Sequence, residues 1–172
     1  MKRHLIAAAT VLAAGAAFAQ GAGPSDPASV ESDAEGRHWD ASGTPTFDIA
    51  EDGTVDWPTF SGFRRYHAEC HTCHGPDGEG SSYAPALVES VRTMDYADFT
   101  YVIINGRENV HGGTQNVMPA FGDNLNVMCY LDDIYVYLRA RGQGELARGR
   151  PAQKAAKTEA FGEFEDSCMG FG

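Results

Sequence analysis

Cys70-His71-Thr72-Cys73-His74 is the stretch on which the reading of this 172-residue chain turns. Residues three and four apart in a helical turn share a face. Two thiols and an imidazole in the C-x-x-C-H pattern therefore present two sulfurs to the two vinyl groups along one haem edge, and a nitrogen to the iron. The expectation is one haem c per chain, covalently held by Cys70 and Cys73, with His74 as an axial iron ligand. A zinc site would want a second Cys/Cys or Cys/His pair at close spacing, whereas Cys129 and Cys168 stand 39 positions apart. A thiol–disulfide oxidoreductase motif would follow a strand in a βαβ unit, and none is present.

The occupant of the second axial position separates a carrier from a catalyst. The chain offers Met94, Met118, Met128 and Met169, and His67, His71 and His111. Met118 is the expected ligand. It lies 44 residues after His74, in the glycine- and asparagine-rich stretch 112–122, directly before Pro119, whose ring stiffens the exit. Met128 reads as core filler within a helix, Met94 falls at a helix start, and Met169 lies in the terminal tail. His67 and His71 share the helix of His74 and do not reach the far haem face. His111 is the rival, with an ordinary surface role as its alternative.

Working outward, Asp56 caps a helix from 57 to about 73, with Phe60, Phe63, His67 and Cys70 along one stripe. Residues 75–85 form a loop. A second helix starts at Thr93 or Asp95, turns Tyr96, Phe99 and Ile103 inward, and stops at Asn105-Gly106. Another loop spans 112–122. The last strong helix spans about 124–141, with Val127, Leu131, Ile134 and Leu138 in register, and Gly142 and Gly144 end it. Phe63, Tyr83, Leu87, Phe99, Ile103 and Leu138 would line an apolar crevice. Upstream, alternating residues 46–49 and 54–57 flank an Asp52-Gly53 turn, the pattern of a small β-hairpin. The domain division is thus a signal peptide (1–19), a flexible acidic lead-in (20–44), a haem domain including the hairpin (45–141) and a C-terminal tail (142–172). The tail carries a weak helical patch at 152–160.

Lys2 and Arg3, the apolar run 5–17 and Ala17-Phe18-Ala19 have the layout of an export signal. The run is too short to span a bilayer, where about 20 residues are needed, so a periplasmic protein without a membrane span is expected. The formal net charge is −11, and −13 once Lys2 and Arg3 are removed with the leader. That argues against nucleic acid and anionic membranes, which need clustered Lys and Arg, and permits steering toward a basic protein partner.

Several further motifs stand in one order: Gly62 and Tyr66, then 70–74, Gly75-Pro76-Asp77-Gly78-Glu79-Gly80, Tyr83-Ala84-Pro85-Ala86-Leu87, Met118-Pro119-Ala120-Phe121, and Ile134-Tyr135-Val136-Tyr137-Leu138. Together they resemble the class I c-type cytochromes over about residues 58–141. The resemblance implies a mostly α fold, a small helical domain wrapped around one covalent haem. It implies that the first and last helices cross at Gly62 with Tyr137 at the contact, and that the Pro85 carbonyl accepts the His74 Nδ1–H bond, making the ring a better iron donor. Residues 57–78 and Asn126-Val127-Met128-Cys129-Tyr130-Leu131-Asp132-Asp133 are similar to the four-cysteine cytochromes associated with methanol metabolism, the cytochrome c-553i type. That narrower likeness implies a periplasmic electron acceptor working beside a PQQ-dependent methanol dehydrogenase, with another cytochrome or a terminal oxidase as acceptor.

Two leftover cysteines in an oxidising compartment most simply pair, so a Cys129–Cys168 disulfide tying back the tail is expected. The alternative is two free thiols, with Cys168 exposed and open to dimerisation. The leading functional reading is a monomeric one-electron carrier and not an enzyme. Two others stand beside it: a haem enzyme or gas sensor with a labile sixth ligand, and a cytochrome subunit of a stable dehydrogenase complex.

Overall fold

Ahead of the first helix the chain forms three short antiparallel strands, β1 (Glu31–Ser32), β2 (His38–Trp39) and β3 (Pro45–Thr46), ordered β1-β2-β3. The computed structural model describes residues 26–111 and 114–171; the expected signal peptide lies outside them. The first two of these strands fall within the stretch that composition reads as a flexible lead-in. Arg139 is fully enclosed, and its guanidinium meets the equally buried Asp40 carboxylate at 2.8 Å and the Pro45 carbonyl at 2.9 Å. A charge buried without its partner costs several kcal/mol, so the segment is held down by its own acid.

The expected hairpin is present in reduced form. Ile49 bridges Val55 across the turn that Gly53 closes, while Thr46 pairs instead with His38. Asp56 then links hairpin to helix. Its carboxylate accepts from the Asp48 amide at 2.6 Å and, as N-cap, from the Thr59 amide at 2.6 Å, satisfying donors that a helix start leaves open. Helix α1 (Trp57–Glu69) ends at Cys70, short of the expected 73, and a separate turn of helix, α2 (His71–His74), follows. A 3-10 turn (Pro76–Gly78), α3 (Leu87–Ser90) and α4 (Tyr96–Asn105) come next, with Asp95 capping α4. The stretch after α4 is not a plain loop. Strands β4 (Arg107–His111) and β5 (Thr114–Met118) pair antiparallel, with Arg107 opposite Met118.

The last strong helix is two helices, α5 (Leu125–Met128) and α6 (Leu131–Gln143), broken at Cys129-Tyr130. The break has a packing reason. Cys129, Tyr130 and Phe161 form a small core of their own, with Trp57, Cys168 and Met169 against it; an unbroken helix would aim Cys129 and Tyr130 elsewhere. Phe161 belongs to α7 (Glu159–Met169), joined to the break by a Cys129–Cys168 disulfide. The tail's helix thus lies downstream of the expected patch. Most of that patch is extended, pairing Lys154 with Val55, before Thr158 caps α7.

The main core lies where α1 crosses α6. A Cβ on Gly62 would stand 1.8 Å from the Asp133 carbonyl oxygen and 2.8 Å from the Tyr137 Cβ, so the backbones meet where only hydrogen fits. Tyr66, Ile134, Tyr137 and Leu138 are buried there. Gly62→Ala gains about 1 kcal/mol of helix propensity but wedges the crossing apart. We expect a net loss of about 3 kcal/mol or more, read from the urea midpoint; an unchanged midpoint would refute the contact.

Asp133, fully buried on α6, has no hydrogen bond of ordinary geometry to either carboxyl oxygen. Burial pushes its pKa well above the usual carboxylate range, with Ser61 and Arg37 offsetting only part of the effect. The folded state therefore holds a proton that the unfolded chain releases above about pH 4, so this group costs stability as pH rises. Comparing Asp133→Asn with the parent, the difference in unfolding free energy should grow in the variant's favour from pH 4 to pH 7. A pH-independent difference would show that Asp133 is ionised in the fold.

Candidate haem-binding site

The C-terminal end of α1 delivers the site. Tyr66, two turns before His74, is fully buried and its hydroxyl donates to the Gly75 carbonyl at 2.6 Å and the His74 carbonyl at 3.2 Å. The Gly80 amide donates to the same His74 carbonyl at 2.7 Å. The attachment turn is thus fastened to α1 from below. His74 is buried, and its Nδ1 donates to the Pro85 carbonyl at 3.0 Å. That bond fixes the tautomer and leaves the Nε2 lone pair free to serve as a metal donor.

Cys70 is half-buried and Cys73 exposed, and neither is in a disulfide. Burial, then the Glu69 carboxylate, pushes the Cys70 thiol up to about 12. A redox-exchange dithiol needs the opposite, a thiol lowered toward neutrality. The Cys70 thiol lacks the lowered pKa that exchange chemistry uses. The donor set of two sulfurs on one turn and one buried imidazole with its second nitrogen fixed fits a covalent haem.

Met118 ends β5 and is partly buried against the same apolar cluster as Phe63, Cys70, Leu87 and Phe121. Its segment is held by a residue that sequence reading took only for a helix stop. Gly106 has φ of 72°, and a Cβ there would stand 2.6 Å from the Met118 carbonyl and 2.8 Å from the Ala120 amide. The Phe121 and Gly122 amides bond the Ile103 and Ile104 carbonyls at 2.9 and 3.2 Å. The signal for Gly106 was available, since a left-handed glycine right after a helix often sets the path of the chain that follows.

Met169 packs against the disulfide cluster. Met94 and Met128 are partly buried against the same core cluster as Met118. The His67 Nδ1 donates to the Phe63 carbonyl at 2.8 Å, and its ring lies 5.8 Å from that of His71. The side chain of His111 lies outside the described residues. Of the six residues expected to line the crevice, Tyr83 is the one most exposed among protein atoms, at 79 %. The loop 81–85 turns outward because Ser81 bonds back to the Cys73 and Ala84 backbone.

Residues 58–138 match the family described as cytochrome c oxidase, cbb3-type, subunit III. Cytochrome c-555 of Methylococcus capsulatus is 36 % identical over 96 residues, 55 % of this chain and 72 % of that protein. The crystal structure of the c-type cytochrome XoxG from Methylobacterium extorquens AM1 superposes with a TM-score of 0.76 at 49 % identity, covering 83 % of this chain and 86 % of that one. The chain belongs to the class I c-type cytochromes. Within them, cytochrome c-553I of Paracoccus denitrificans is 60 % identical over 134 residues, 78 % of this chain. This cytochrome spans 59 % of the length of that relative. The family carries covalent haem c, and the helical fold with a small N-terminal sheet agrees with it.

If Tyr66 fastens the attachment turn, Tyr66→Phe leaves the buried Gly75 carbonyl without its donor. A loss of about 1–3 kcal/mol is expected, measured by guanidinium unfolding of the haem-loaded protein. A loss below about 0.3 kcal/mol would show the hydroxyl to be incidental.

Proposed function

We propose that this cytochrome is a periplasmic, monomeric, one-haem carrier. In this reading it takes single electrons from a PQQ-dependent methanol dehydrogenase and delivers them to another cytochrome or a terminal oxidase. Haem supplies one-electron exchange at iron when both axial positions are filled. Cys70 and Cys73 would hold it, and His74 and Met118 would be the two side chains that donate to its iron. The observation that carries the reading is the placing of the Met118 segment, whose backbone lies against Gly106 and whose following Phe121 and Gly122 amides bond the end of α4. A methionine on a segment so placed would fill the second donor position and leave none open for substrate.

The remaining supports come from sequence and charge. The chain has a single C-x-x-C-H, hence one haem. The leader-like residues 1–19 support export, and no helix among the described residues is long and apolar enough to cross a membrane. A net charge of −11 favours fast encounter with a basic face and weakens with salt. The methanol link rests on the likeness to the c-553i type and to XoxG.

Two measurements test this. Met118→Ala should abolish the long-wavelength sulfur–iron band of the oxidised protein while leaving haem attached; a retained band would assign another ligand. Stopped-flow mixing with reduced methanol dehydrogenase should show rapid haem reduction that slows about tenfold or more between 20 and 300 mM salt. Slow reduction at every ionic strength would remove the methanol assignment and leave the cytochrome.

A further inference from the structure

Asp77 stands three residues after His74, in the 3-10 turn that continues the attachment segment, with φ of 58°. It is 5 % exposed. Groups from three separate parts of the chain approach its carboxylate. The Gly149 amide donates to Oδ1 at 3.0 Å and the Tyr137 hydroxyl at 3.4 Å; His67 Nε2 lies 3.5 Å from Oδ1, and Arg148 Nε 3.5 Å from Oδ2. The Asp77 carbonyl accepts from Arg141 Nε at 3.4 Å, and Arg141 reaches on to Glu79 at 2.6 Å. The attachment turn is thus joined to α1, to α6 and to the C-terminal strap through one buried acid. A turn residue with positive φ needs only to be Gly, Asn or Asp, and neither attachment nor axial ligation requires a charge there.

We propose that Asp77 is a positioning residue that sets the reduction potential of the haem, acting through the turn that carries His74. The inference rests on the haem reading above. Oxidised iron carries one more positive charge than reduced iron. A buried negative charge behind the ligand turn favours the oxidised form and lowers the potential, and its field is screened less than that of a surface charge. Arg148, from the strap, works against it, so the C-terminal extension takes part in setting the balance. Arg148 is 64 % exposed, and its share is correspondingly smaller and salt-sensitive.

The test is spectroelectrochemical titration of the purified holoprotein at low salt. Asp77→Asn keeps the shape and tolerates the left-handed backbone, so it removes the charge alone. At a fixed electrode potential it should raise the reduced-to-oxidised ratio about tenfold, roughly 59 mV for one electron. Asp77→Glu, which restores the charge, should recover most of the parent ratio. Arg148→Gln should lower the ratio about twofold, an effect that fades at high salt. An unchanged or lowered ratio in Asp77→Asn overturns the proposal, as do shifts of the same sign in the two neutral variants, the mark of mere loosening. Should Asp77→Asn fail to accumulate with haem, Arg148→Gln decides alone: a lowered ratio supports the proposal and an unchanged or raised one overturns it. A parent protein with no reversible one-electron wave would instead refute the carrier function.

Discussion

At Gly62 the chain passes so near the Asp133 carbonyl that one methyl group would not fit between them. What depends on this approach is the position of the haem site. α1 ends in Cys70, so the angle at which it crosses α6 fixes where the attachment turn begins. From α6, Tyr137 and Arg141 reach to Asp77 in the turn below, and Tyr66 binds the His74 and Gly75 carbonyls from α1. Both helices of the crossing therefore hold the same few residues. A shift of the helices would move the imidazole with them, as would a shift of Pro85, whose carbonyl holds its Nδ1.

The two terminal segments are tied to the body of the fold as well. The lead-in is fastened by the buried Asp40–Arg139 pair, and the strap by the Val55–Lys154 pairing and the Cys129–Cys168 bond. A buried ion pair is a poor source of stability in itself, because removing two charges from water offsets most of their attraction. What it contributes here is register, since a slipped strand would carry the Asp40 carboxylate and the Pro45 carbonyl away from the buried guanidinium. Closing a loop of 39 residues is worth about 4 kcal/mol in the chain-entropy model. Cations over aromatic rings add to the strap's hold, with Lys154 4.7 Å from the Trp57 ring and Arg150 4.8 Å from that of Phe60.

Much of the helical core was legible in the chain because the signals are local. The caps Asp56 and Asp95, the stop at Gly106 and the stripes at intervals of three and four all follow from neighbours in sequence. The family resemblance located Pro85 and the Gly62 crossing, which spacing alone does not give. What escaped was non-local. The lead-in looks disordered until Arg139, 99 residues away from Asp40, supplies a reason for order. The break at Cys129-Tyr130 is invisible to helical periodicity, since it serves a second core completed by α7. Met118 was legible as a candidate, but the strand that carries it and the glycine under it belong to a pairing that glycine-rich composition conceals.

The site is built around attachment. One half-buried thiol, one exposed thiol and an imidazole with one nitrogen already committed fit together as the holders of a covalent cofactor. The polar network beneath them then gives the chain a means of adjusting that cofactor without touching it. Intact-mass spectrometry of the exported protein, under denaturing conditions with an alkylating agent present, tests this core statement most directly. The account predicts the added mass of a single haem and no alkylation at Cys70 or Cys73. A protein without the added mass, alkylated at both positions, would contradict it.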